Sequence, residues 1–196
     1  MNATPAHRPV NLPAVFLAGL QAGMIGICCM LAWLGMSAAG QGRSFWTAEN
    51  LMASVFHGEA AIRRGFGYST LSGMALYLLV YSVLGAGFAL CVHGRLTRLG
   101  TVLVGLLFSV SWYWLWFRAL GETAMPLVWL LHAGKATVFG HAIFGVSIAS
   151  FPAYLPEQSP PAVEPPAEAL APGQPAFAAP APEATTEPVP PDPDLS

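Results

Sequence analysis

The chain has 196 residues, of which 55% are hydrophobic and only 9% charged, with a formal net charge of −2. A soluble domain carries about 25% charged residues, so this composition leaves too little polar surface for a water-soluble body and makes lipid the solvent for most of the chain. The charge is divided: residues 1–155 hold eight basic and three acidic side chains, a net +5, while residues 156–196 hold seven acids and no Lys or Arg, a net −7.

Three stretches lack Asp, Glu, Lys and Arg: between Arg8 and Arg43, between Arg64 and Arg95, and between Arg98 and Arg118. A span needs roughly 20 apolar residues to cross about 30 Å, and each stretch supplies one. Residues 1–12 form a short N-terminal segment. The first helix is expected over about residues 13–39, with Pro13 in the first turn, where its missing N–H costs nothing. Ser37-Ala38-Ala39 looks like a signal-peptidase site. However, the apolar stretch before it is longer than the roughly 7–15 residues of a signal peptide, so an uncleaved helix is expected. Gln21 is expected to be buried and bonded to a neighbouring helix.

Residues 45–57 place Leu51, Met52, Val55 and Phe56 at helical spacing, with Thr47 as a candidate cap. This predicts a short amphipathic helix lying in the interface. Arg63 and Arg64 follow it as candidate lipid-headgroup ligands. The second span is expected over about 69–92 and the third over about 99–117. The third ends in Trp112-Tyr113-Trp114-Leu115-Trp116-Phe117-Arg118, the pattern of an interfacial aromatic belt.

The fourth span is interrupted in character by His132, Lys135 and His141. A helix beginning after Lys135 would be roughly 24 Å long, too short, so one continuous helix over about 126–151 is expected, ended by Pro152 and Pro156. The fold class is therefore all-α: a polytopic membrane four-helix bundle over residues 13–155. From residue 156 onward, Pro, Ala and Glu predominate, and a disordered, polyproline-like acidic tail is expected.

Lys135 is the first candidate for a ligand or ion site, because a mid-membrane lysine is costly. The alternative is a snorkelling side chain. His132 and Lys135 are three apart and share a helical face, while His141, nine residues from His132, points elsewhere. Only the fourth span holds a deep histidine, so bis-histidine haem has no facing partner, and no cofactor or metal is expected. No Asp or Glu falls in a predicted span, which disfavours proton-coupled export. Cys28, Cys29 and Cys91 lack a C-x-x-C spacing and read as small apolar helix residues.

Gly19-x-x-x-Gly23, with Gly26 and Gly140, makes small-residue patterns that let helices approach closely. Segments beginning Thr47-Ala48 and Thr123-Ala124 share a loose order of apolar patch, histidine and glycine, a candidate parallel repeat of the kind transporters use. Catalytic patterns such as G-x-S-x-G, H-E-x-x-H and a phosphate loop do not occur, and no catalytic residue is assigned.

The run Asn50-Leu51-Met52-Ala53-Ser54-Val55-Phe56-His57-Gly58-Glu59 is followed by Arg64-Gly65-Phe66-Gly67, by Thr70-x-x-Gly73 and later by Gly140-His141-Ala142-Ile143-Phe144-Gly145. It resembles uncharacterised bacterial inner-membrane proteins of about four helices over roughly residues 13–152. The resemblance implies a multi-pass protein of the inner (plasma) membrane and supplies no functional residues. The leading functional expectation is a non-enzymatic membrane component acting through the bilayer, a second copy or other membrane proteins, without nucleic acid. The alternatives are a small transporter or channel subunit using Lys135 and His132, and a redox or lipid-modifying enzyme using the histidines. Loops one and three carry Arg43, Arg63, Arg64, Arg118 and, if it snorkels, Lys135, against Arg8, Arg95 and Arg98 on the opposite side. This faintly favours cytoplasmic loops one and three, whereas even-span bacterial proteins commonly keep their termini inside, so the orientation stays open.

Overall fold

The computed structural model describes residues 11–63 and 65–156, without the side chains of Arg118 and Leu120. Arg64 and the acidic tail lie outside the described residues. The described residues are helical and contain no strand.

Helix α1 spans Leu12–Gly40. Asn11 caps it by accepting the Ala14 N–H at 3.2 Å. After Gly42, which adopts φ +72°, come α2, Thr47–His57, and the single turn α3, Glu59–Ile62. Helix α4 spans Tyr68–Val92, and α5 spans Arg98–Leu115 behind a Thr97 cap. A π-helical segment, Trp116–Gly121, leads to α6, Glu122–Ala124, and α7, Pro126–Leu131. Helix α8, Gly134–Ile148, and a 3-10 turn, Phe151–Tyr154, close the described chain.

Three of these helices, α1, α4 and α5, are long and apolar enough to cross a membrane. On α1, a stripe of small residues, Ala18, Gly19, Ala22, Gly23 and Gly26, is buried at the helix crossings, together with larger Val15, Ile27, Met30, Leu31 and Leu34, while Leu17, Met24, Ile25 and Met36 are exposed. Lipid exacts no penalty for meeting such large apolar side chains. Gln21 lies on this exposed face, contrary to the expectation that it is buried, because the small-residue stripe and not the polar residue sets the contact face.

Helix α1 packs between α4 and α8, and α5 packs on α8. The crossings occur where backbones nearly touch. Gly19 and Gly23 face Ser82, Gly85, Ala86 and Ala89 of α4; Gly26 faces Phe144 and Ser147 of α8, and Gly140 faces Met30 of α1. The α5–α8 crossing is made by Gly105 and Gly145, each against the other's carbonyl. The Trp33 indole adds a bond to the Ala136 carbonyl at 3.0 Å. Trp33→Phe should cost about 0.5–1.5 kcal/mol, readable as a lowered unfolding midpoint in detergent.

Three expectations are corrected. The fourth segment is not one helix over 126–151: His132 is extended, with ψ 146°, and Ala133 is non-helical. The His132 ring takes over the Trp129 carbonyl, Nδ1 to O 3.1 Å, which a continuous helix would satisfy with the Ala133 N–H. Gly134, a weak helix former, follows. The residue 112–117 belt is only partly outward. Trp114 and Leu115 are exposed, but Tyr113 is buried, and Trp116 and Phe117 turn into the body through the π segment. Of the apolar positions on α2, Val55 and Phe56 are exposed, and the helix docks on α4 through Glu49, Asn50, Leu51, Met52 and Ala53. Its anchor is polar: Thr70 Oγ1 donates to Asn50 Oδ1 at 2.6 Å, and Asn50 Nδ2 donates to the Gly65 carbonyl at 3.2 Å. Thr47 is the first helical residue and donates to the Ser44 carbonyl; the N-cap is Trp46.

Candidate functional site

Helices α2 and α7 touch each other at the end of the molecule where α1 and α5 finish and α4 and α8 begin. Beneath them lies a chamber of about 70 Å³. Its walls are mainly apolar, with Met30 and Leu34 from α1, Leu51 and Met52 from α2, and Val128 and Leu131 from α7. Its polar edge comes from Tyr77, Tyr81, Tyr113, His132, Thr137 and His141, with Arg43 also on the wall.

The polar edge is built from two tyrosine–histidine pairs of one design. His141 is 3% exposed. Its Nδ1 lies 2.8 Å from the Thr137 carbonyl, and its Nε2 lies 2.8 Å from Tyr81 Oη. A carbonyl only accepts, so Nδ1 carries a proton, and in the neutral ring Nε2 accepts from the tyrosine O–H. His132 repeats this with the Trp129 carbonyl at 3.1 Å and Tyr113 Oη at 3.0 Å. Tyr113 stands between the two imidazoles, with ring centroids 5.2 Å from His141 and 6.1 Å from His132. Phe117 packs on His132 at 4.1 Å. Ser109 fixes α5 to α8 by donating to the His141 carbonyl at 2.6 Å. Both rings are thus oriented and satisfied at each nitrogen. Such an edge can position a hydrogen-bonding group of a small molecule, and either hydroxyl can rotate toward it.

The structure redistributes the residues singled out from sequence. His132 and His141 share the chamber, although nine residues of continuous helix would separate their directions; the break at 132–133 re-aims His132. Lys135, in contrast, is exposed on the outer side of α8, in an open groove with Trp33, Gln41 and Phe139. Since the helix starts at Gly134, the expected His132–Lys135 face does not exist. Arg63 is exposed and paired with Glu59 at 3.3 Å. Cys28, Cys29 and Cys91 are exposed on the apolar exterior. Gly19, Gly23, Gly26 and Gly140 all lie at crossings within one chain. Among the described residues, no three His, Cys, Asp or Glu side chains cluster within reach of one ion.

Tyr77, Tyr81, Tyr113 and Glu49 were not found from sequence. The four-residue spacing of Tyr77 and Tyr81 on one helical face was the available signal; a search for histidine partners among histidines passes over it. Glu49 gave none, since it sits in a connecting segment by sequence yet is only 1% exposed in the fold. No protein-family model, curated protein or solved structure matches this chain.

Proposed function

We propose that the chain is a multi-pass membrane protein, of the bacterial inner-membrane type its sequence resembles, that crosses the bilayer four times. In this reading the broken α7–α8 unit makes the fourth crossing, and the protein acts as a non-enzymatic binding component. The chamber is proposed to receive a small, largely apolar molecule bearing one hydrogen-bonding group, or the end of a longer amphiphile. The observation that carries this reading is the half-open, mainly apolar chamber edged by two oriented tyrosine–histidine pairs. Pockets of this kind, apolar with a few convergent polar groups, are the usual form of small-molecule sites.

A second reading, a small transporter subunit, is favoured by the recurrence of one order: a long helix, short helical segments, then a long helix, first from α1 to α4 and again from α5 to α8. Transporters built from repeats place substrate where the halves meet. Lys135 has no part in either reading, because it faces outward.

Ala136 lines the chamber, and Ala136→Phe should fill it. Benzyl alcohol serves as the probe. It should raise the melting temperature of the full-length protein in detergent by several degrees relative to the Ala136→Phe variant, as expected when a ligand binds only the folded state. Equal responses in the two proteins would overturn the chamber reading.

A further inference from the structure

Glu49 is a buried acid with no cationic partner among the described residues. It is 1% exposed, and its Oε2 has no hydrogen-bond partner. It sits at the third position of α2, where the helix dipole favours an anion, yet burial dominates and pushes its pKa above the ordinary carboxylate value, opposed less strongly by a backbone hydrogen bond. The protonated acid is the form this position accommodates.

The surroundings connect Glu49 to the chamber. Glu49 is on the helix that supplies the chamber wall through Ala48, Leu51 and Met52. That helix is seated against α4 at Gly73, where any Cβ would collide with the Glu49 carbonyl oxygen. Tyr77, one turn beyond Gly73 on α4, lines the chamber. The other charged or titratable groups described on elements packed against α2 form no ion pair with Glu49. Glu59 and Arg63 of α3 pair with each other at the surface. Arg43, in the linker from α1, donates through Nη2 to Gln41, and its buried Nε has no partner. His132, at the end of α7, is held by Tyr113 and Trp129. His57, on α2 itself, bonds Ser72. None of these supplies a counter-charge to Glu49.

We propose that Glu49 is a proton-binding site that latches the chamber wall: with the proton bound, α2 stays docked on α4 and walls the chamber, and release of the proton to solvent frees α2 and opens that wall. The sign follows from the raised pKa. The docked state binds the proton more tightly than the undocked state, so docking is fully favoured below the ordinary carboxylate range. It weakens as pH climbs toward the pKa of buried Glu49, and is constant above it. The latch needs no chamber ligand, so it stands or falls separately from the binding reading.

The test uses the full chain with Cys28, Cys29 and Cys91 replaced by alanine and Ala48→Cys introduced as a reporter in the chamber wall. The rate of N-ethylmaleimide labelling is measured from about pH 4 to about pH 9 with Glu49 present and with Glu49→Gln, which keeps the shape and carries no charge. Dividing one rate by the other removes the thiol's own pH dependence. The expected ratio is near one in acid and rises about tenfold for each unit by which burial raises the pKa. A ratio that stays flat overturns the proposal. Gly73→Val should pry α2 away and label rapidly at every pH. If a folded Gly73→Val protein labels no faster than the Glu49→Gln protein, undocking of α2 is not what opens the chamber and the proposal likewise fails.

Discussion

Gly85→Ala should destabilise the protein by about 3 kcal/mol, and Gly85→Leu should leave no monodisperse folded protein in detergent. The reason is the absence of anything soft at the contact. A Cβ on Gly85 would meet the Gly19 carbonyl oxygen at 2.6 Å, the Gly23 Cα at 2.7 Å and the Gly23 nitrogen at 2.9 Å. All three are backbone atoms, so relief requires α1 and α4 to separate along a seam that also holds Ala22, Ala86 and Ala89. Overpacking costs about 1–3 kcal/mol where side chains can yield. Here the upper end is expected even after the roughly 1 kcal/mol that alanine gains over glycine in a helix. Gly87, two residues along the same helix, meets nothing within 4 Å. Gly87→Ala should therefore be neutral or stabilising by up to about 1 kcal/mol. Unfolding midpoints in mixed micelles measure both, and a Gly85→Ala protein as stable as Gly87→Ala would show that the α1–α4 seam is not packed this closely.

Breaking the inner tyrosine–histidine pair should be the next most damaging change. Tyr81→Phe removes the donor to His141 Nε2 and leaves a buried acceptor bare; His141→Leu leaves the Tyr81 hydroxyl without its acceptor, while the Thr137 carbonyl keeps the helical N–H of residue 141. An orphaned buried group costs about 1–3 kcal/mol, and polar pairs inside membrane proteins average about 0.6 with a maximum near 1.7 kcal/mol. Each single variant is accordingly expected to lose about 1–2 kcal/mol. The double variant should lose less than the two singles together, since each removes the other's orphan. The outer pair, Tyr113 and the half-buried His132, should show a smaller coupling, because water can replace the missing partner. Strict additivity at Tyr81 and His141 would mean the 2.8 Å bond contributes nothing.

Much of the architecture was legible from residue order. The charge-free runs predicted helices over about 13–39, 69–92 and 99–117, and the structure has them at Leu12–Gly40, Tyr68–Val92 and Arg98–Leu115. Gly19, Gly23, Gly26 and Gly140 stand out in the sequence as small residues at helical spacing. Which helices they would bring together was not readable, because small-residue spacing names a face and not its partner.

The amino-acid sequence by itself determined that the chain is built from helices too apolar for water, and roughly where they start and stop. Hydropathy and charge are properties of each residue, and they add along a segment without reference to the rest of the fold. Tertiary structure alone decided what those helices enclose. His132 and His141 meet at one chamber because the chain breaks at His132 and Ala133, and Lys135 is turned outward by the same break. Glu49 becomes a buried acid because the segment carrying it docks at Gly73. Burial and hydrogen-bond partnership depend on residues far away in the chain that arrive from other helices, so no local pattern contains them.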